Sequence, residues 1–176
     1  EKPSNGKRTA TPGWYNTVAF EKEAEKNGLY AKSINGDAFS LEVKEKVVEM
    51  IKEDLGQVDM VIYSLAAPRR TTADGTVWAS SLKTTGEAFT EKSLDLRNNT
   101  IVTKTVEPAK DGELEGTIKV MGGEDWKLWI EQLKAADVLA DQAITVAYSY
   151  IGPEITYPIY KEGSIGQAKK HLYQTA

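Results

Sequence analysis

A doubly wound α/β fold on a parallel sheet is what the sequence predicts, from three observations. Helical and strand signals alternate along the 176 residues. The run VDMVIYSL, Val58 to Leu65, is almost continuously apolar, as in a strand covered by helices on both faces. A second helix and strand pair, EDWKLWIEQLKAA and then AITVAYSYI, repeats the pattern late in the chain.

Taken in order, a polar opening rich in Lys, Thr, Pro and Gly leads into GWYNTVAFEKEAEKNG. Tyr15, Val18 and Ala19 share a face there and Gly28 suits the position just past a helix end. LYAKSI predicts a short strand. SLEVKEKVVEMIKEDLG predicts the clearest helix, with Val43, Val47, Val48 and Ile51 on one stripe, Ser40 as N-cap, Glu42 in the first turn and Gly56 as the stop. After the strand from Val58 to Leu65, residues 66–120 have a different grain. Asp74-Gly75 and Asn98-Asn99 each separate short runs in the manner of hairpin turns, so small antiparallel pieces and loops are expected at the open end of the sheet. Trp126, Trp129, Ile130 and Leu133 then recur at helical spacing, AITVAYSYI gives another strand, and SIGQ from Ser164 fits a capping box for a last helix starting near Ile165.

Composition narrows the chemistry. A net charge of -4 and a pI near 5.2 leave no basic footprint for nucleic acid, and the pairs Arg69-Arg70 and Lys169-Lys170 are isolated. No apolar run approaches the roughly 20 residues that span a membrane. With no cysteine and one histidine, His171, the chain lacks the means for disulfides, thiolate catalysis, Cys/His zinc sites and Ser-His or Cys-His nucleophile pairs, and no metal is expected. Chemistry falls to Tyr, Lys, Asp, Glu or a bound cofactor. The length suits one domain. The opening EKPSNGKR has neither an initiator methionine nor a signal-peptide core, so Glu1 is read as an internal residue of a longer polypeptide in an aqueous compartment, the cytoplasm or, in a eukaryote, an organelle.

Ligands of open α/β sheets lie beyond the carboxyl ends of the strands. Those ends are Ile34 to Ala38, Leu65 to Pro68 and Tyr150 to Pro153. Asp37 suits an adenine edge or ribose, and equally a turn before a helix. Ala66 and Ala67 admit close backbone approach and equally serve packing. Glu124 and Asp125 suit the dipole of the helix they open, without any further role, and Trp126 and Trp129 read as core. Tyr160 and Lys169 stand nine residues apart, and one unbroken helix would point them in opposite directions. Gly163 interrupts, which leaves Tyr160 in the preceding loop, free to fold toward Lys169. An ammonium beside a tyrosine lowers the phenol from its usual pKa of about 10 and stabilises the phenolate left after proton donation to an enolate or alkoxide. The same spacing fits a buried tyrosine and a solvated lysine.

GWYNTVAFEKEAEKNGLYAKSINGDAFS, DLGQVDMVIYSLAAPRR, KVMGGEDWKLWI and AYSYIGPEITYPIYKEGSIGQAKKHL together resemble the trans-2-enoyl-CoA reductase family, which includes the FabV-type enoyl-acyl-carrier-protein reductases. The likeness runs from Glu1 to Ala176 without a large gap. It implies the central part of a single dinucleotide-binding reductase domain, a partial Rossmann-like parallel sheet with residues 66–120 as a hairpin and loop insertion on the substrate side. It also implies NADH-dependent reduction of the trans-2 double bond of enoyl-CoA or enoyl-acyl-carrier-protein in fatty acid synthesis, by a cytoplasmic monomer. The family's signature of Tyr, eight residues and Lys matches Tyr160 and Lys169. By that resemblance Tyr160 donates the proton to the thioester enolate and Lys169 contacts the nicotinamide ribose, with Lys170 following as in many members. Tyr150 matches a substrate-contacting tyrosine. Asp37 and Ala38, with Leu65 and Ala66, match the adenine- and nicotinamide-side segments of the NAD(H) site. Glu1 matches an acidic residue that holds the adenosine ribose and disfavours a 2′-phosphate. The family's glycine-rich phosphate loop would precede Glu1, and its C-terminal helices would follow Ala176. Two other readings accompany this one: an inactive fragment or NAD-binding or interaction module, and a carbonyl reductase using the same Tyr/Lys pair.

Overall fold

A computed structural model describes residues 1–176, which divide into a unit of residues 1–37 and a unit of residues 38–176. In the first, α1 (Pro12–Lys26) starts on a proline, whose missing N–H is not needed there. It ends as expected at Gly28, whose φ of +67° lets the Gly28 and Leu29 N–H groups donate to the Glu25 and Ala24 carbonyls at 2.9 Å each. The Glu1 carboxylate accepts from the Thr11 hydroxyl beside the first turn of α1. Leu29 to Ile34, read from sequence as a strand, forms none. β-forming side chains give a local preference, but a strand exists only when a partner completes the ladder.

In the second unit, α2 (Leu41–Asp54) is capped by the Ser40 hydroxyl, which accepts from Val43 N–H at 3.2 Å, and stops at Gly56, φ +76°. β1 (Val58–Tyr63) follows. Then come two hairpins, β2 (Arg69–Thr71) with β3 (Val77–Ala79) and β4 (Phe89–Asp95) with β5 (Thr100–Val106), turning at Asp74-Gly75 and Asn98-Asn99 as read from the sequence. The end of this stretch departs from the expectation of hairpins and loops, because Glu113–Met121 is a helix, α3. Gly116, Thr117 and Val120 are poor helix formers, so local preference hid it and tertiary packing makes it. Thr117 and Val120 are buried, and Gly116 admits the Ala79 carbonyl, to which an added Cβ would stand at only 2.6 Å.

α4 (Glu124–Ala135), β6 (Leu139–Ala147), a 3-10 turn at Glu154–Thr156 and α5 (Ser164–Thr175) complete the chain. β1 and β6 pair in parallel, with Met60 opposite Ile144 and Tyr63 opposite Ala147. Between the Val58/Leu139 and Met60/Ile144 pairs β6 bulges, and Gln142 there has φ +66°. Val48, Leu133 and Val138 form one buried cluster with Val61 against it; Tyr63, Trp126, Trp129 and Leu172 form another. Thus α2, α4 and α5 all pack on the face that holds Val61 and Tyr63. The opposite face, expected from the continuous apolar run to carry helices too, is open, with Met60 52% and Ile62 55% exposed. Every helix that reaches these two strands lies on one side.

Candidate functional site

The carboxyl ends of β1 and β6 lie side by side, tied by Tyr148 N–H donating to the Tyr63 carbonyl at 3.0 Å. Leu65 and Ala66 leave the first end and Tyr150 the second. Tyr150 and Tyr160 meet edge to face, with ring centroids 4.7 Å apart. Gly152 makes this possible: with φ +69° it turns the chain beneath Tyr160, and an added Cβ would stand 3.2 Å from the Tyr160 ring. Tyr160 closes a run of turns, its N–H donating to the Thr156 and Tyr157 carbonyls at 3.1 and 3.2 Å. Its own carbonyl rests on Gly166 in the first turn of α5. The structure therefore brings Tyr160 against Tyr150 and sets it beside the start of the helix that carries Lys169.

Tyr160 and Lys169 are both partly buried, and their polar ends bond neither each other nor another group of the chain. Burial pushes the Lys169 ammonium below its ordinary pKa, with no carboxylate to oppose it. A cation left short of partners, on the helix whose first turn the Tyr160 carbonyl touches, stands to gain from an incoming anionic or hydroxyl-bearing group.

The capping box expected at Ser164 is not formed. Gly163 is the N-cap, and the fully buried Ser164 hydroxyl instead donates to the Ser81 carbonyl and accepts from Lys83 N–H at 3.1 Å. Ser164 N–H donates to the Lys83 carbonyl at 2.9 Å and the Thr85 hydroxyl to the Glu162 carbonyl at 2.7 Å. Residues 81–85 are thus strapped across the start of α5. Nonlocal bonds outcompeted the local one, and no spacing in the sequence announces them.

Ala38 and Leu65 both pack on the cluster of Tyr63, Trp126, Trp129 and Leu172, while Ala66 is exposed. Glu1 and Asp37 belong to the 1–37 unit. There Asn35 accepts from the Glu1 amine and donates to the Glu1 carbonyl, both at 2.7 Å.

Sequence reading missed a buried ionic network. Lys44 and Asp125 are 3% and 1% exposed, and pair at 2.8 Å. Tyr63 hydroxyl donates to the other Asp125 oxygen at 3.2 Å. Burial first, then the Asp125 charge, raises the Tyr63 phenol well above its usual pKa. Arg70 donates to the Lys119 carbonyl at 2.7 Å and to Glu124 at 2.8 Å. Burial pushes Glu124 up, but the bonds and charges of Lys119 and Arg70 outweigh it and hold its carboxyl below the ordinary range. One signal was available: Lys44 stands four residues before Val48 and seven before Ile51, on the buried stripe of α2.

A family description, trans-2-enoyl-CoA reductase catalytic region, matches residues 8–176. The chain is 55% identical over its whole length to a trans-2-enoyl-CoA reductase [NADH] of Ruminiclostridium cellulolyticum, and 54% to an enoyl-[acyl-carrier-protein] reductase [NADH] of Flavobacterium johnsoniae. It spans 45% of the length of each. The crystal structure of Treponema denticola trans-2-enoyl-CoA reductase in complex with NAD superposes with a TM-score of 0.94 at 47% identity, over 100% of this chain and 44% of that one. The parallel pair with its helices is thus part of a Rossmann-like α/β fold, and the chain belongs to the trans-2-enoyl-CoA reductase family.

Proposed function

We propose that the protein carrying this chain reduces the trans-2 double bond of enoyl thioesters, on coenzyme A or an acyl carrier protein, with NADH as reductant. The observation that supports this most is the pairing of Tyr160 with Tyr150, next to the helix of a half-buried Lys169 without an anionic partner, at the carboxyl ends of two parallel strands. On this reading residues 1–176 are the central part of one dinucleotide-binding domain in a cytoplasmic monomer, with residues 66–120 on the substrate side.

The residues fit such a cofactor. Leu65 packs into the core cluster on which Ala38 also sits, Ala66 leaves the strand end without bulk, and Lys169 has a charge to share. Ala38 would lie on the adenosine side, and Leu65, Ala66 and Lys169 on the nicotinamide side. When bound, NADH would supply a hydride to the β-carbon of the enoyl thioester. Tyr160 hydrogen-bonds the thioester oxygen, where the enolate charge would collect, and gives it a proton; tautomerisation of the enol then leaves the hydrogen on the α-carbon and restores the carbonyl. Lys169 lowers the cost of the phenolate left behind. Tyr150, 52% exposed and braced against the Tyr160 ring, contacts the acyl substrate.

Tyr160→Phe removes only the hydroxyl. In the full protein, turnover of an enoyl thioester is expected to fall roughly 10²- to 10⁴-fold, with NADH affinity and melting temperature unchanged. Unchanged turnover would refute the assignment. NADH oxidation with a ketone instead of the enoyl thioester would move the protein to the carbonyl reductases.

A further inference from the structure

We infer that Lys44 and Asp125 are positioning residues for the cofactor, clamping the Ala38 and Phe39 backbone in place; this rests on the NADH reading above. The Lys44 ammonium has three protons and meets three acceptors: the Ala38 carbonyl at 3.2 Å, the Phe39 carbonyl at 2.8 Å and Asp125 Oδ1 at 2.8 Å. Trp129 Nε1 donates to the same Ala38 carbonyl at 3.1 Å. Two successive peptide planes, immediately after Asp37, are therefore fixed by donors from α2 and α4.

Two features argue for more than stability. A buried ion pair is often no more stabilising than apolar residues of the same shape, which leaves room for a role beyond stability. The network also reaches a second segment of the proposed site, since Asp125 Oδ2 accepts from Tyr63 at the last residue of β1, two residues before Leu65. One carboxylate thus sets both the 38–39 backbone and the end of β1. An ammonium, being compact and able to point three donors apart, suits two carbonyls and a carboxylate where a planar guanidinium does not.

The test uses the full protein. NADH affinity is read by fluorescence titration, KM for NADH and kcat by steady-state kinetics, and backbone opening at residues 38–40 by amide hydrogen exchange, for wild type, Lys44→Met and Tyr63→Phe. Lys44→Met is expected to raise Kd and KM for NADH about tenfold, with kcat at saturating NADH and KM for the enoyl thioester within twofold of wild type, and to speed exchange at 38–40. Tyr63→Phe keeps the ring in the core and is expected to give the same pattern at about threefold, so an unfolded Lys44→Met still leaves a decisive variant. Folded variants with wild-type Kd and KM for NADH would overturn the inference, as would a fall in kcat alone. A wild-type protein that does not bind NADH would overturn the cofactor reading itself, and this inference with it.

Discussion

Gly166 shows at the level of one residue how the tyrosine is held. A glycine inside a helix ordinarily costs about 1 kcal/mol relative to alanine, so Gly166→Ala should stabilise α5 on propensity alone. Its Cβ would instead stand 2.6 Å from the Tyr160 carbonyl and closer still to that of Lys161. Backbone cannot swing aside as a side chain can, and overpacking of this kind typically destabilises by roughly 1–3 kcal/mol. The expected outcome is a lower melting temperature by calorimetry and a loss of turnover, because the Tyr160 turn must lift off the helix; a stabilised, fully active variant would show that the contact is loose. At this scale the sequence was informative about types and poor about partners. The tyrosine, the lysine and the break between them were legible from spacing and resemblance. The Tyr150 ring contact and the Lys44 to Asp125 pair were not, because each joins positions whose separation obeys no local period.

Among the elements, the turns were the most legible, since turn chemistry is written in adjacent residues. At the β2–β3 turn Asp74 accepts from the Thr72 hydroxyl at 2.6 Å, and from the Thr76 N–H and hydroxyl at 3.1 and 3.0 Å. These bonds, that of Thr72 foremost, lower its carboxyl from 3.8 to about 2. A carboxyl depressed on folding contributes stability that is present above the unfolded value and lost as pH falls through the folded one, so the hairpin should loosen only as pH drops toward 2. NMR titration of the Asp74 carboxyl checks this: a midpoint near 2 is expected, moving up toward 3.8 in Thr72→Val. α3 shows the opposite case. Gly116, Thr117 and Val120 weaken its local preference, and it forms with Thr117 and Val120 buried and Gly116 under Ala79. LYAKSI failed as a strand for the complementary reason, having local preference without a ladder.

For the whole molecule, the most consequential surface is the open face of the β1–β6 sheet. Met60, Ile62, Ile144 and Val146 alternate along the two strands and are 52%, 55%, 58% and 37% exposed. Contiguous apolar area of this kind marks a surface made to be covered, and the relatives are more than twice as long as this chain. The 176-residue polypeptide made alone is expected to bind a hydrophobic dye strongly, and Ile62→Lys to reduce that fluorescence at least twofold with the circular dichroism spectrum unchanged. Equal fluorescence in the variant would place the dye elsewhere. The apolar run showed that β1 is a buried kind of strand, but it could not show which elements do the burying.

The strap of residues 81–85 across the start of α5 bears on how such proteins can be re-engineered. A designer wishing to vary residues 66–120 would treat them as an exchangeable cassette, cut at its ends. Ser81, Lys83 and Thr85 forbid that division, since they supply the bonds that seat Glu162 and Ser164. The exchangeable module is the β4–β5 hairpin alone, and a graft that replaces residues 81–85 must bring its own α5 with it.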